Sequence, residues 1–417
     1  MTAPPEALRI ALLTYRGSPH SGGQGVYVRY LSRALAELGH DVTVFSGQPY
    51  PDLHDATKLE RLPSLDLYRP NDPFRRPARN EFHNGIDVLE YLTMCVAGFP
   101  EPLTFSLRAA RALKDKGQDF DVVHDNQSLG YGLLAIQRAG LPVVATIHHP
   151  IPLDKRVEIA NAATRAKRTS LRRWYGFARM QGRVARRLAR IIAVSEWARD
   201  DSVREFSISP DRISVVHNGV DAALFKPLNG IERRPGRIIT TASADVPLKG
   251  LVFLIEAVAK LRTERDVELV VVGKSKLGGA TRAAIDRFGL NDAVRFEAGV
   301  DWLRLVQLYA ESEVAVVPSL YEGFSLPAAE AMSCAVPLVA TTGGALPEIT
   351  GGDGQAALLV PPANAGAMAA AIGRLLENPR LRNRLGEHGR SRVQEHFTWR
   401  QAAAATVDEY RRVLDSC

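Results

Sequence analysis

Short apolar runs alternate with amphipathic helical segments in two long stretches of this 417-residue chain. Runs such as 9–14 and 238–242 have the length and composition of buried parallel strands. The segment after the first run carries Tyr27, Leu31 and Leu38 near helical spacing. This alternation indicates βαβ units, and therefore an α/β fold with mainly parallel sheets.

The chain is long enough for two such domains and too long for one ordinary core. Turn and linker residues between Asn218 and Gly236 mark the boundary. We predict a first Rossmann-like domain at residues 1–218 and a second at 219–397. Residues 48–105, rich in proline and aromatics, interrupt the alternation of strands and helices and are interpreted as a loop-rich insertion. Whether this insertion contacts substrate or only elaborates the structure is left open.

Two glutamates eight residues apart flank a predicted strand-to-helix junction. The apolar run 313–318 is typical of a buried strand, and Pro327 fits the first turn of a helix, where a missing N–H costs nothing. The sequence therefore predicts Glu322 in the loop and Glu330 one turn into the helix.

The segment between these glutamates suits a bound phosphate. The backbone amides of Gly323, Phe324 and Ser325, followed by Leu326, lie near the positive end of the predicted helix. One carboxylate could accept hydrogen bonds from sugar hydroxyls and the other from ribose hydroxyls. Two glutamates at this spacing could also have no ligand, one lying on the surface and the other being favoured by the start of the helix. The sequence Gly-Phe-Ser-Leu-Pro between them, after an apolar strand, favours a sugar-nucleotide site.

Polar residues also follow strands of the first domain, where ligands of open α/β sheets gather. His148 and His149 end the apolar run 143–147, and Asn126 ends the segment His124-Asp125-Asn126. A capping or packing role is the alternative for each, and it is slightly favoured for the 124–126 segment.

The second domain has comparable positions. Lys249 precedes Gly250 shortly after a predicted strand that leads to Ser243, and Gly273-Lys274 follows another strand. A lone lysine is usually a solvated helix-start residue, but the strand-end context and the following glycine favour an anion contact.

A glycine cluster opens the first helix with Gly22, Gly23, Gln24 and Gly25. Gly23 and Gly25 fit the first two places of a dinucleotide fingerprint, but Val28 occupies the third. The next strand ends without the acid that would hold an adenosine ribose, so NAD binding is disfavoured. The cluster still permits close approach of the backbone to a ligand. The alternative is that the glycines only form a tight turn and bind no ligand.

The net charge of +7 is concentrated in one segment. Residues 155–190 contain 12 Lys or Arg and one acid, which gives this segment +11 and the rest of the chain −4. A nucleic-acid-binding surface that extends over the whole protein is therefore disfavoured. The segment is interpreted either as a solvated surface helix or as a surface attracted to an anionic membrane, with Trp174 and Tyr175 near the interface. RNA binding is a third interpretation, which only the charge supports.

Several other classes of protein are disfavoured. The chain lacks an apolar run of the roughly 20 residues that a spanning helix needs. Three widely spaced cysteines suggest neither a disulfide framework nor a metal site, and favour the cytoplasm. Asp119-Phe120-Asp121 has the form of a metal-binding D-x-D motif, but it leads into a strand and is interpreted as a solvated turn. We predict no metal and no cofactor.

The string from Tyr321 to Ala331 resembles the E-x7-E motif of retaining glycosyltransferases of family 4 (GT4), which have the GT-B fold. The resemblance implies two facing Rossmann-like domains with an interdomain cleft, the donor being held mainly by the second domain. It also implies that the last helix, about 398–417, packs back on the first domain. Where the family usually has an arginine, this chain has Ser243, which supplies no charge.

The resemblance also assigns roles. It implies that Glu322 orients the transferred sugar, that Glu330 holds the ribose and that Lys249 binds the diphosphate. Gly273 and Lys274 would line the nucleotide pocket, and Lys274 or Arg16 could supply the charge that Ser243 lacks. His148 matches the family's histidine beside the reacting sugar better than His149 does.

The predicted function is the transfer of a sugar from a nucleotide diphosphate sugar to an acceptor hydroxyl, with retention of configuration and without a metal ion. If the basic segment binds a membrane, the acceptor could be linked to a lipid. The enzyme would be cytoplasmic, or peripheral at the inner face of the membrane. The alternatives are a sugar-nucleotide epimerase or phosphorylase of the same architecture, and a non-catalytic sugar-nucleotide-binding protein.

Overall fold

A computed structural model describes residues 7–18, 23–69, 71–242, 245–275 and 278–415. The chain divides into an N-terminal unit, Met1–Val216 with Trp399–Cys417, and a C-terminal unit, His217–Thr398. The division at 216 lies two residues from the predicted boundary at 218.

The N-terminal unit is built on a parallel sheet. Its strands have the order β3-β2-β1-β4-β5-β6-β7. The strands among the described residues are β1 (Arg9–Thr14), β2 (Asp41–Ser46), β3 (Lys58–Arg61), β4 (Val122–Asn126), β5 (Val143–Ile147), β6 (Arg190–Ala193) and β7 (Ile213–Val215). The central strands β4 and β5 are buried along their whole length. Strand β5 is almost entirely apolar, as expected of a buried parallel strand, whereas β4 ends in the buried polar residues His124, Asp125 and Asn126.

Helices connect these strands in the pattern that the sequence predicts. They are α1 (Gly23–Glu37), α2 (Gly85–Cys95), α3 (Glu101–Lys114), α4 (Tyr131–Arg138), α5 (Pro152–Ala160), α6 (Arg165–Trp174), α7 (Phe177–Ala185) and α8 (Glu196–Phe206).

The C-terminal unit repeats the architecture with a second parallel sheet. Its strand order is β10-β9-β8-β11-β12-β13, so the order of its first strands matches that of the N-terminal sheet. The strands are β8 (Arg237–Thr241), β9 (Glu268–Val272), β10 (Val294–Glu297), β11 (Val314–Val317), β12 (Leu338–Thr341) and β13 (Ala357–Val360). The prediction of two Rossmann-like units with parallel sheets is confirmed.

Helices of the C-terminal unit bury their apolar faces against this sheet. They are α9 (Leu251–Leu261), α10 (Ala280–Phe288), α11 (Trp302–Ala310), α12 (Leu326–Ser333), α13 (Leu346–Thr350), α14 (Ala365–Glu377) and α15 (Pro379–His396). The core of the unit includes Leu254 and Val258 of α9 and Met368 and Ile372 of α14.

The last helix, α16 (Trp399–Leu414), belongs to the N-terminal unit although the C-terminal unit precedes it in the chain. Trp399 stacks on Tyr30 of α1 with ring centroids 5.7 Å apart. Tyr410 is fully buried, and its hydroxyl lies 2.6 Å from Nδ1 of His124 on β4. These contacts complete the helical layer on one face of the N-terminal sheet.

The interpretation of residues 48–105 as loop-rich is wrong in part. This segment adds the edge strand β3, the helix α2 and the start of α3. Arg108 of α3 forms buried ion pairs with Asp87 and Glu90 of α2, the one to Asp87 at 2.6 Å. The insertion is therefore held by a charge cluster whose members lie too far apart in sequence to be recognised as partners.

The basic segment, residues 155–190, contains most of α5 together with helices α6 and α7, which are separated by a turn at Gly176. Basic side chains such as Arg172 and Arg173 are exposed. Tyr175 is buried, which contradicts its predicted place near an interface, whereas Trp174 is partly exposed and packs on Phe99 with ring centroids 4.9 Å apart. Within the described part of the chain, every helix is too short or too polar to span a bilayer.

Candidate active site

The junction between β11 and α12 has the predicted geometry. The strand ends at Val317, and the helix begins at Leu326 with Pro327 in its first turn. Ser325 caps the helix: its φ is +83°, and its side chain accepts a hydrogen bond from the backbone N–H of Ala328 at 3.4 Å. Glu322 therefore lies in the loop and Glu330 in the helix, and the amides at the start of α12 form an anion-attracting end.

The structure brings together Glu322 and Lys249. The Nζ of Lys249 donates to Oε1 of Glu322 at 2.8 Å, and the hydroxyl of Ser319 donates to the same oxygen at 2.6 Å. Glu322 is only 8% exposed, so the charge of Lys249 compensates a largely desolvated carboxylate. Ser319 was missed by the sequence reasoning, although it comes directly after a buried strand.

Backbone packing explains why this lysine meets this glutamate. Strands β8 and β11 are neighbours, so the connections that leave them meet at one edge of the sheet. The backbone N–H of Leu320 donates to the carbonyl of Leu248 at 2.7 Å. Gly250 has φ +64°, and a Cβ there would lie 2.0 Å from the carbonyl oxygen of Pro318. Only glycine permits both this conformation and this approach.

The loop after β12 supports the same glutamate from the other side. The carbonyl of Glu322 accepts from the N–H of Ala345 at 2.9 Å, and a Cβ on Gly344 would lie 2.2 Å from that carbonyl oxygen. Glu348 follows in α13 and pairs with His217 at 2.6 Å. This glycine-rich loop thus fixes the backbone at Glu322.

Glu330 is buried to the same extent as Glu322. It is 7% exposed, and burial raises its pKa to about 7. Tyr309, which interacts with Glu330, also lies 3.0 Å from the hydroxyl of Thr241 at the end of β8. A carboxyl group with this pKa is poised to ionise when hydrogen-bond donors approach it. Tyr309 was not predicted, because its position in α11 reads as an ordinary core aromatic.

The remaining predicted site residues of the C-terminal unit have other surroundings. Phe324 is buried and packs on His217 and Phe397 rather than lining an open surface. Gly273 follows β9, and its N–H donates to the carbonyl of Glu297 at 2.9 Å. Lys274 is exposed beside it. Ser243 and Gly22 lie outside the described residues.

The polar site of the N-terminal unit centres on His148. Its Nε2 lies 2.7 Å from Oδ1 of Asn126, and its backbone N–H donates to Oε1 of Gln127 at 2.6 Å. Burial lowers the pKa of His148 to about 3, so the ring is neutral at physiological pH. The amide of Asn126 also donates to the carbonyl of Gln24 at 3.2 Å. With Nε2 donating to Asn126, the Nδ1 of His148 is left as an acceptor.

The two adjacent histidines have different surroundings. His149 pairs with Asp154 of α5 at 2.7 Å, whereas His148 bonds to Asn126 of β4, whose side-chain amide in turn donates to Gln24 at the start of α1. The structure therefore groups His148, Asn126 and Gln24, and leaves His149 in a separate pair.

The neighbouring candidates have structural partners. His124 is buried between Tyr410 and Thr146, and Asp125 accepts a hydrogen bond from the N–H of Leu129 at 2.9 Å. Asp121 pairs with Arg9 at 2.7 Å in a partly exposed ion pair at the start of the strands, as expected of a solvated turn. Within the described ranges, the structure has no cluster of three His, Cys, Asp or Glu residues suited to a metal ion.

The glycines at the start of α1 divide into two kinds. A Cβ on Gly25 would lie 1.9 Å from the carbonyl oxygen of Ser18, so Gly25 is required by packing. A Cβ on Gly23 would meet nothing within 4 Å, and the residue is exposed. The backbone at Gly23 is therefore open to a ligand, whereas that at Gly25 is not.

Replacement of Gly250 by alanine is expected to lower the free energy of unfolding more than Gly289→Ala does. Both glycines have φ near +65°, which costs a non-glycine residue about 1–2 kcal/mol. Only Gly250→Ala adds overlap with backbone, which typically costs about 1–3 kcal/mol more. Urea unfolding of the two variants gives the difference, and equal losses would contradict the close approach.

Comparisons with known proteins show the family to which the chain belongs. Residues 21–224 match the family described as Glycosyltransferase Family 4, and residues 235–378 match the family described as Glycosyl transferases group 1. A curated relative from Mycolicibacterium hassiacum, "MMP alpha-(1->4)-mannosyltransferase", is 53% identical over 408 residues, which cover 98% of each chain. The "D-inositol 3-phosphate glycosyltransferase 2" of Catenulispora acidiphila is 31% identical, with 98% of this chain and 95% of the relative covered.

Solved structures share the fold. Sucrose-phosphate synthase from Thermosynechococcus elongatus has a TM-score of 0.75 at 24% identity, covering 98% of this chain and all of the other. HepE from Anabaena, solved with UDP and glucose, has a TM-score of 0.69 at 18% identity, covering 96% and 98% of the two chains. The chain therefore belongs to glycosyltransferase family 4, has the GT-B fold, and is a glycosyltransferase that takes its sugar from a nucleotide sugar.

Proposed function

We propose that this glycosyltransferase works with retention of anomeric configuration and without a metal ion. The observation that carries the proposal is the contact between Lys249 and Glu322 beside the start of α12. A leaving diphosphate needs positive charge, and a lysine together with helix N-terminal amides supplies it at fixed positions. No metal is then required to neutralise the departing group.

The transferred sugar is proposed to be mannose. The Mycolicibacterium hassiacum relative is named as an α-(1→4)-mannosyltransferase, and 53% identity over 98% of both chains supports the same sugar and linkage here. An α-linked product formed from an α-linked nucleotide diphosphate mannose keeps its anomeric configuration, so the linkage in that name also supports retention. The acceptor group would be the 4-hydroxyl of a mannose unit.

The donor would lie over the C-terminal edge of the second sheet. Lys249, paired with Glu322 in the free protein, would turn its charge to the diphosphate, while Glu322 would accept hydrogen bonds from the sugar hydroxyls. Glu330 would accept from the ribose hydroxyls, and the amides of Gly323 to Ser325 would hold a phosphate. Lys274, exposed just after β9, is available to supply the positive charge that a serine at position 243 does not carry.

His148 would contact the reacting sugar as a neutral acceptor. Its low pKa keeps the ring uncharged, and its Nδ1 can accept from a sugar hydroxyl while Nε2 stays bound to Asn126. A neutral acceptor orients the sugar without competing with the diphosphate for positive charge. Gly23, Gln24 and Gly25 would bring the start of α1 to the same ligand, with Gly23 the open position.

The identity of the product tests this proposal. Incubated with a nucleotide diphosphate α-mannose and a mannoside acceptor in excess EDTA, the enzyme is expected to form an α-(1→4)-linked product. Proton and carbon NMR of the product give the configuration and the linkage. A β-linked product, a requirement for added metal or a free epimer of the donor would each contradict the proposal.

The affinity for the donor is expected to increase as the pH is raised through about 7. Burial raises the pKa of Glu330 to about 7, and hydrogen bonds from the ribose favour the ionised carboxylate, so donor binding should release a proton. Each unit by which binding lowers this pKa strengthens donor affinity about tenfold above the titration. Calorimetric titration between pH 5.5 and 8.5 measures the slope.

The matched variant for this titration is Glu330→Gln, which preserves shape and cannot ionise. It should bind donor more weakly at pH 8.5 and show no pH dependence near 7. An unchanged slope in this variant would show that another group is responsible.

A peripheral position at the inner face of a membrane is a separate proposal. Its support is the exposed basic surface of α6, which includes Arg168, Arg172 and Arg173. Because Trp174 and Tyr175 pack inward, attraction would be electrostatic rather than by insertion. Sedimentation with liposomes should show binding that needs anionic lipid and weakens with salt; no binding, or equal binding to neutral lipid, would refute it.

A further inference from the structure

The two glutamates that flank the start of α12 are equally buried but have different partners. Glu322 faces the cation of Lys249, whereas Glu330 forms no ion pair with any residue that the structure describes. The hydrogen-bond partner of Glu330 is the phenol of Tyr309, which is neutral. A buried carboxylate with a neutral partner is costly to ionise, and burial accordingly raises the pKa of Glu330 to about 7.

Tyr309 is held between the end of a strand and the helix that carries this carboxyl group. It lies on α11, it is 2% exposed, and its hydroxyl is 3.0 Å from the hydroxyl of Thr241 at the end of β8. The same phenol is 3.5 Å from the carbonyl oxygen of Pro327 in the first turn of α12. Glu330 follows three residues later in α12, so the position of the phenol relative to its carboxyl group is fixed.

The phenol has one proton to donate, and its surroundings decide which oxygen receives it. Burial raises the pKa of Tyr309 well above its usual value, so the phenol remains a donor at physiological pH. The hydroxyl of Thr241 can donate to the phenol oxygen, which leaves the phenol proton free for Glu330. Hydrogen bonds to an ionised carboxylate are roughly twice as strong as neutral ones, so the phenol prefers Glu330 once that group is charged.

The ionisable groups that the structure describes on the elements packed against α12 have other roles. Burial raises the pKa of the Cys334 thiol at the end of α12, so the thiol stays protonated. Arg390 of α15 donates to a backbone carbonyl of α12 at 2.7 Å, and Glu348 of α13 pairs with His217 at 2.6 Å. Strands β11 and β12 carry no ionisable side chain. The phenol is thus the group that acts directly on the Glu330 carboxyl.

We propose that Tyr309 is a positioning residue for nucleotide binding that acts through Glu330, a proposal that rests on the ribose contact proposed above for Glu330. Its phenol proton holds the carboxylate in place and favours the ionised form, which accepts from the ribose hydroxyls. Thr241 supports this arrangement by donating to the phenol oxygen. Nucleotide capture near neutral pH therefore depends on a pair of neutral hydroxyl groups and not on a second cation.

The test compares the pH dependence of nucleotide affinity in wild type and Tyr309→Phe. GDP and UDP are each titrated by calorimetry between pH 6 and 9.5. Loss of the phenol proton should raise the pKa of Glu330, so the pH at which affinity increases should move up by about one unit. The variant should then bind about tenfold more weakly at pH 6 and within about twofold of wild type at pH 9.5. The titration of the nucleotide's own phosphate is common to both proteins and cancels in the ratio.

Nucleotides without ribose hydroxyls locate the effect. The 2′,3′-dideoxy forms of the same diphosphates should bind wild type and Tyr309→Phe equally, because their sugar offers Glu330 no hydrogen bond. In a Glu330→Gln background, where the side chain cannot ionise, Tyr309→Phe should leave the pH dependence unchanged. Thr241→Val, which removes the other hydroxyl of the pair and is similar in shape, should shift the curve in the same direction as Tyr309→Phe.

The control is Tyr410→Phe, which removes another fully buried phenol hydroxyl, 2.6 Å from His124 in the N-terminal unit. It should lower stability in urea and leave the curve of affinity against pH unchanged. A purely structural role of Tyr309 would lower affinity by one factor at every pH. Such parallel curves, coincident curves, an equal loss with the dideoxy nucleotides, or no binding of either diphosphate by wild type would each overturn the proposal. If Tyr309→Phe does not fold, the curve of Thr241→Val decides by the same criteria.

Failure of the underlying function has a different signature. If the curve shifts in Tyr309→Phe but wild type forms no mannosyl product, the role of Tyr309 stands and the proposed transfer falls. If product forms while the curve of Tyr309→Phe keeps its wild-type midpoint, the reverse holds. Equal wild-type affinity for the dideoxy and natural diphosphates removes the ribose contact of Glu330 and, with it, the role of Tyr309.

Discussion

The ion pair between Lys249 and Glu322 is the interaction on which the site of the C-terminal unit depends. It joins the connections that leave two adjacent parallel strands, β8 and β11. The backbone approach at Gly250 and the packing of Gly344 against Glu322 fix the two loops in place. A largely buried carboxylate without its cation would be costly, so the pair also sets the resting geometry of the loop that precedes α12.

The polar sites of the two units differ in their electrostatics. The C-terminal unit offers a lysine, helix amides and carboxylates, which suit a diphosphate and the hydroxyls around it. The N-terminal unit offers a neutral histidine held by Asn126. An uncharged group suits a sugar ring, whose recognition depends on hydrogen bonds.

Much of the fold could be predicted, because buried parallel strands are short apolar runs and surface helices have a 3.6-residue period. The edge strand β3, with the sequence Lys-Leu-Glu-Arg, was missed because an exposed edge carries no such pattern. Glu322 and Glu330 could be placed from their junction, but the contact with Lys249 could not, because it depends on β8 lying beside β11 across 73 residues. The contact of Trp174 with Phe99 could not be predicted either, because Phe99 lies in the insertion, 75 residues earlier in the chain.

The most direct test of the account is a double-mutant cycle on Lys249→Gln and Glu322→Gln, read as kcat/KM for mannosyl transfer. Each single change is expected to lower kcat/KM by about 10²–10³-fold. The double variant should lose much less than the product of the two losses, with a coupling of about 0.5–3 kcal/mol between the paired residues. The pair Glu256→Gln and Lys260→Gln, exposed on α9, should change nothing. Losses that multiply independently, or wild-type activity in either single variant, would contradict the central role of this pair.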